Sequence, residues 1–263
     1  MNKNIFRDFL RYVSLNVLGQ MAYSCYTLAD TFFVSASLGS NGLAALNLAF
    51  PVFCIINGTG LMIGMGGGTR YSLLKSRGEN RRADSVFTNA VYIALSFSVL
   101  FVLSGAFLSD TVTKRLGADD TVFSMTNTYL RVMLLFAPAF LINNLLQCFV
   151  RNDGSPSLSM AAMVTASMSN VVLDYIFIFP LRMGISGAIL ATGLAPVISI
   201  GVLSSYFIRK KNRFRFTKSS LEMKVVSGIV PSCMEICNGH NVVVVGYGLS
   251  HDILPCATAC LYF

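Results

Sequence analysis

From Ser85 to Leu108, and again from Met183 to Ile208, the sequence runs without a single charged side chain. Runs of this length constrain the fold more than any other feature, because about 20 predominantly apolar residues are what a helix needs to cross a bilayer. Six such segments are legible, at 13–36, 42–68, 84–108, 123–149, 156–180 and 185–208. A seventh is expected to begin near Val225. No water is present in hydrocarbon to satisfy backbone N–H and C=O groups, so these segments are expected to be helices. The fold class expected is an all-α membrane protein: a six-transmembrane-helix bundle plus the start of a seventh helix. Composition agrees. The chain is 54% hydrophobic and 12% charged, with mean hydropathy +0.64, where soluble domains carry about 25% charged residues. The expected organisation is a six-helix lobe over 1–208, a basic linker over 209–224, and the beginning of a second lobe over 225–263.

The opening MNKNIFRDFLRYVSLN is basic and then apolar, but the apolar stretch continues past Asp30 without a clean small-residue cleavage site. It is read as a retained first span rather than a signal peptide. With the N-terminus on the cytoplasmic side, the inside segments hold 3 + 5 + 1 + 7 = 16 Lys and Arg. These are Lys3, Arg7 and Arg11; Arg70, Lys75, Arg77, Arg81 and Arg82; Arg151; and the seven between Arg209 and Lys224. The outside loops hold three, Lys114, Arg115 and Arg182, and Arg131 falls inside the fourth span. That asymmetry fixes the expected orientation and accounts for the net charge of +8 as a topology signal, with no nucleic-acid partner needed to explain RKKNRFRFTK. The expected location is the cell (inner) membrane, multi-pass, with the lipid bilayer as its first partner.

Several chemistries lack their residues. Seven cysteines are scattered without CxxC spacing and are read as small hydrophobes. The two histidines, His240 and His251, both lie near the C-terminus, and no nucleophile–base constellation fits the spans; the chain is not expected to be an enzyme. GLMIGMGGGTR lacks the lysine of a phosphate loop. Its Gly60, Gly64 and Gly68 repeat every fourth residue, the spacing that lets membrane helices approach closely. With no visible ATP-binding loop and no expected cofactor, any work would draw on an ion gradient.

Ionisable residues inside spans are the functional candidates. Asp30, Asp174 and Glu235 are the acids in that position. Asp30 lies six residues before the outer end of the first span, Asp174 six before that of the fifth, and Thr192 seven after the outer start of the sixth. At 1.5 Å rise per residue, all three sit roughly 9–10 Å below the outer surface. Asn170 and Asp174 are one turn apart and share a face. On the first span Asn16, Gln20, Tyr23, Thr27 and Asp30 form a stripe with spacings of 4, 3, 4 and 3. Asn143, Asn144 and Gln147 of the fourth span either line the same cavity or serve as packing hydrogen bonds. Carboxylates held together in a low-dielectric pocket favour capture of a positive charge, either a proton or a small hard cation that accepts carboxylate, amide and hydroxyl oxygens. The residues alone leave H⁺ and Na⁺ both open.

YTLADTFFVSASLGSNGLAALNLAFP, GMGGGTRYSLLKSRGENRRA, CFVRNDGSPSLSMAAM and SNVVLDYIFIFPLRMGISGAILATG together resemble the MATE (multidrug and toxic compound extrusion) family, in its bacterial and archaeal branch with an aspartate pair. The resemblance covers about residues 10–235. It implies a twelve-helix antiporter of two six-helix lobes that expels drug-like organic cations in exchange for Na⁺ or H⁺. It places a cation site in the N-terminal lobe on Asp30, Asp174, Asn170 and Thr192, with a backbone carbonyl near Ala188. It also implies that a C-terminal lobe partners this one, and that SGIVPSCMEICNG opens helix seven with Glu235 at an acidic position. After Gly239 the family pattern is lost, as a partial or shifted reading frame would produce. The competing readings are a non-transporting membrane fragment and a lipid-linked substrate flippase of the same superfamily. The flippase would need cationic side chains along its cavity, and the spans are nearly free of Lys and Arg.

Overall fold

The computed structural model describes residues 3–209 and 212–217. The expected start of helix seven, Glu235, both histidines and the tail after Gly239 lie outside the described residues. Seven helices make up the described part: α1 (Lys3–Ser76), α2 (Asn80–Phe107), α3 (Ser109–Arg115), α4 (Asp120–Leu135), α5 (Ala137–Asn152), α6 (Pro156–Ile178) and α7 (Ile185–Ile208).

A straight helix of the 74 residues of α1 would be about 110 Å long, against a hydrocarbon core of about 30 Å. The chain resolves this at Gly39, whose φ of 65° and ψ of −153° break the helix. That combination is open essentially to glycine alone. The first two expected spans are therefore the two arms of α1. Four helical stretches are long and apolar enough to cross a membrane, Val13–Ser76, Asn80–Phe107, Pro156–Ile178 and Ile185–Ile208, and the bent pair α4–α5 is a fifth. Counting the arms of α1 separately gives 4 + 1 + 1 = 6, as the sequence leads one to expect.

The fourth span departs from expectation. In place of one helix over 123–149, α4 and α5 meet at 49°. Pro138 occupies the first turn of α5, where its missing N–H and its ring forbid continuation of the α4 hydrogen-bond ladder through this point. The connection after α2 also contains a short helix, α3, which is tied to α4 by the Asn127 amide donating to Asp110 Oδ1 at 2.6 Å.

In α7, 56% of the most apolar window is buried, against 22–28% in the other three long stretches. The helices α4, α5 and α6 pack on α7. α5 is interior as well: it touches α1, α2, α6 and α7 and exposes no large apolar side chain. On α1, α2 and α6, exposed Leu, Val, Met and Phe face outward, as lipid contact allows. The second arm of α1 lies against α5 along the glycine row. A Cβ on Gly60 would stand 3.0 Å from Asn144 Nδ2, and one on Gly64 would stand 3.0 Å from both the Asn144 carbonyl oxygen and Cys148 Sγ. The four-residue spacing thus does serve close helix approach. Of the described cysteines, Cys148 is buried, Cys54 half-buried and Cys25 exposed, and none of the three is in a disulfide.

At the basic end of the bundle, residues 212–217 form a non-helical strap. Phe214 is completely buried among the rings of Tyr71, Phe87, Phe149, Tyr206 and Phe207, at centroid distances of 4.5–6.3 Å.

Candidate cation site

The residues that depth and helical face select are all withdrawn from the surface. Asp30 on α1 is 6% exposed, Thr192 on α7 is 5% exposed, and Asn170 and Asp174 on α6 and Ala188 on α7 are at 0%. They also meet. With its amide oriented by its neighbours, Asn170 donates from its side-chain nitrogen to Asp174 Oδ2 at 3.0 Å and accepts from the Thr192 backbone N–H at 3.3 Å. Asn170 therefore ties α6 to α7, and Asp30 and Asp174 lie close enough to feel each other's charge.

Asp30 Oδ1 and Asp174 Oδ1 are buried and have no hydrogen-bond partner among the described residues. A buried polar atom left unpaired costs about 1–3 kcal/mol, and more if charged. Two such carboxylate oxygens in one neighbourhood, with the buried Thr192 hydroxyl beside Tyr129 next to them, are what a proton or small cation would satisfy. Pro196 alters the backbone next to the site. It sits inside α7, one turn after Thr192, and its missing N–H leaves the Thr192 carbonyl without its in-helix donor.

Two further residues belong to this neighbourhood. Tyr129 on α4 lies beside Thr192 and within reach of the charges of Asp30 and Asp174. Tyr26 stands one turn before Asp30 and senses the same two carboxylates. Tyr26 could have been found from its four-residue spacing to Asp30; Tyr129 carries no such signal, being one of several polar residues on α4.

The expected cavity-lining residues divide. Gln20, Tyr23 and Thr27 are half-buried on the first arm. Tyr23 packs edge-on against Tyr26 at 4.9 Å, and the Thr27 hydroxyl donates back to the Tyr23 carbonyl at 3.0 Å. On α5, Asn144 donates to Asn57 Oδ1 at 3.1 Å across the glycine row. Gln147 donates to Asn143 Oδ1 at 3.2 Å and to Ser199 Oγ at 3.4 Å. Asn144 and Gln147 thus bridge α5 to α1 and α7.

The family model described as MatE matches residues 17–176, more than half of the chain. The chain belongs to the MatE family. This is a family of membrane transporters, not enzymes, and the chain is a multi-pass helical membrane protein. Among curated relatives, the multidrug export protein MepA of Staphylococcus saprophyticus is 28% identical over 209 residues, covering 80% of this chain and 46% of the relative. MepA of Staphylococcus aureus strain MRSA252 is 27% identical over 256 residues, covering 94% of this chain and 56% of the relative. That second match extends beyond the 10–235 region on which the sequence motifs rest. Among solved structures, a MOP superfamily transporter from Pyrococcus furiosus superimposes with a TM-score of 0.79 at 28% identity, covering 86% of this chain and 51% of that one. A structure of MATE in complex with MaD3S gives 0.80 at 27% identity, with coverages of 86% and 52%. The MatE chain described here spans about half the length of the relatives it matches.

Proposed function

We propose that this chain is the N-terminal lobe of a cation-coupled multidrug antiporter, in which Asp30, Asn170, Asp174 and Thr192, with the carbonyl of Ala188, hold the driving Na⁺ or H⁺. The observation that carries this reading is the convergence of two unpartnered buried carboxylate oxygens, Asp30 Oδ1 and Asp174 Oδ1, with the buried Thr192 hydroxyl beside them, from three helices. A structural role for the aspartates would have left those oxygens hydrogen-bonded. The likeness to proteins named multidrug export protein supports drug-like organic cations as cargo and a C-terminal lobe as partner, in a cell membrane with the N-terminus inside. Coupling follows if cation binding favours one of two lobe conformations and that conformation binds drug less well, since only differential affinity can shift an equilibrium. The α4–α5 bend and the proline-interrupted α7 are the elements best placed to change shape, both beside the site.

The test is drug uptake into everted vesicles carrying the lobe within a two-lobe transporter, wild type against Asp174→Asn. Uptake driven by a Na⁺ or H⁺ gradient in wild type and lost in the variant, with insertion unchanged, is the expected result. Undiminished gradient-driven uptake by Asp174→Asn would remove the site from the mechanism.

A further inference from the structure

The strap does more than cover the helix ends. Asp153, in the turn after α5, accepts from the Tyr71 hydroxyl at 2.8 Å, the Tyr206 hydroxyl at 3.0 Å and the Arg213 backbone N–H at 2.8 Å. Asp84 Oδ1 accepts from the Arg215 N–H at 3.1 Å, and Thr88 Oγ1 accepts from the Thr217 N–H at 3.1 Å. With Phe214 as the plug, the strap's backbone is held at alternate residues. The side chains of Arg213 and Arg215 are thereby turned outward and are exposed. Lys75, at the end of α1, donates to the Arg213 carbonyl at 2.9 Å and lies 5.6 Å above the Tyr71 ring.

Between strap and helix ends this leaves a notch of about 330 Å³, lined by Ser72, Lys75, Ser76, Asn152, Gly154 and Arg213, with Tyr71 and Asp153 at its base. The Asp153 carboxylate is occupied by its three donors. Among the described residues the ion pair formed is Arg82–Glu79, so the Lys75 ammonium and Arg213 guanidinium have no carboxylate partner. Exposed apolar side chains stand next to the notch-lining or strap residues, Leu73 beside Ser72 and Phe216 in the strap itself. Two cations without carboxylate partners, one on a strap whose backbone is held, with hydroxyl and amide donors beside them, suit a phosphate, and the flanking apolar side chains suit the acyl chains attached to it.

We propose that the notch between the strap and the ends of α1 and α5 binds the phosphate of an anionic phospholipid, held by Lys75 and Arg213. The site depends on the docked strap as well as on charge. It is independent of the cation site and of transport.

The experiment titrates the purified chain in detergent micelles with phosphatidylglycerol or phosphatidylcholine and counts retained lipid by native mass spectrometry. Wild type is expected to retain phosphatidylglycerol in preference to phosphatidylcholine. The double variant K75Q/R213Q should bind it roughly tenfold or more weakly, as loss of charge-assisted hydrogen bonds requires. Phe214→Ala keeps every charge and should lose binding comparably, because the strap loses its plug. Should Phe214→Ala not fold, Asp153→Asn gives the same discrimination. It makes the surface more positive yet loosens the strap, so a built notch predicts weaker binding and a diffuse basic patch predicts stronger. Unchanged binding in K75Q/R213Q, or stronger binding in Asp153→Asn, overturns the proposal. Full displacement by millimolar inorganic phosphate overturns the lipid as the source of the group.

Discussion

Asn170 and Asp174 stand one turn apart on α6, and the Asn170 amide holds Asp174 Oδ2 at 3.0 Å while its own oxygen receives the Thr192 N–H at 3.3 Å. One amide therefore uses both its ends, one on the carboxylate that would bind the cation and the other on the neighbouring helix. The arrangement leaves Asp174 Oδ1 unpaired and fixes where it stands. Replacing Asn170 by Ala should lower cation affinity by about 10–100-fold, the usual cost of losing a group that orients a ligand, while the helices still insert. Isothermal titration of Na⁺ into the purified protein measures this, and an unchanged affinity would show that Asp174 needs no such support.

Thr192 contributes a buried hydroxyl beside Tyr129 at the site. A sodium ion uses that oxygen as a ligand, whereas a proton on a carboxylate does not need it. Thr192→Ala is expected to weaken Na⁺ binding by roughly tenfold, about the worth of one lost polar contact to a charge, and to leave proton uptake in place. Equal loss of both would mean that the hydroxyl shapes the site without touching the ion.

Away from the site, the glycine row sets up a stability test with an internal control. A Cβ on Gly64 would press on the Asn144 carbonyl oxygen and on Cys148 Sγ, both at 3.0 Å, and the first of these is backbone that cannot swing away. Gly64→Ala should cost about 1–3 kcal/mol through overpacking. On the same arm, a Cβ at Gly58 meets nothing within 4 Å. Gly58→Ala should be neutral or stabilise by about 0.5–1 kcal/mol, the gain from restricting the unfolded chain. Thermal unfolding in micelles should separate the two variants in sign. Matching behaviour would contradict the close approach of α1 and α5.

What could be read from the sequence was whatever hydrocarbon makes expensive. Asp30 and Asp174 stood out because a carboxylate in an apolar run demands a reason, and their depth with Thr192 followed from the constant rise of a helix. Gly60, Gly64 and Gly68 stood out by their period. Less was legible where the outcome depends on a contact between distant segments. Pro138 was visible, but a proline at that place can kink a helix, start one or be tolerated, and only the packing of α4 and α5 on α7 settles which. Tyr129 is one of several polar side chains on α4, beside Asn127 and Thr128, and becomes notable only when Thr192 lies beside it. The segment around Phe214 reads as a basic linker because its charges dominate the composition. Its docking rests on one apolar side chain meeting a socket built from α1, α2, α5 and α7.

Pro196 sets stability against binding in a way that a single substitution can expose. Inside α7 a proline is unfavourable by about 3 kcal/mol relative to alanine on intrinsic propensity alone. Its retention beside the site is explained if the carbonyl it frees on Thr192 serves the cation. Pro196→Ala restores an N–H to that carbonyl, so the helix should become more stable and the site should lose an acceptor. The expected outcome is a higher unfolding temperature together with weaker Na⁺ binding, two changes of opposite sign in one variant. Thermal unfolding with and without Na⁺ measures both, because a bound ion raises the midpoint by an amount that grows with the logarithm of its concentration over its Kd. A variant that is more stable and keeps the full Na⁺-dependent rise would show that the freed carbonyl is a feature of helix shape alone, leaving the carboxylates, the Asn170 amide and the Thr192 hydroxyl to hold the ion.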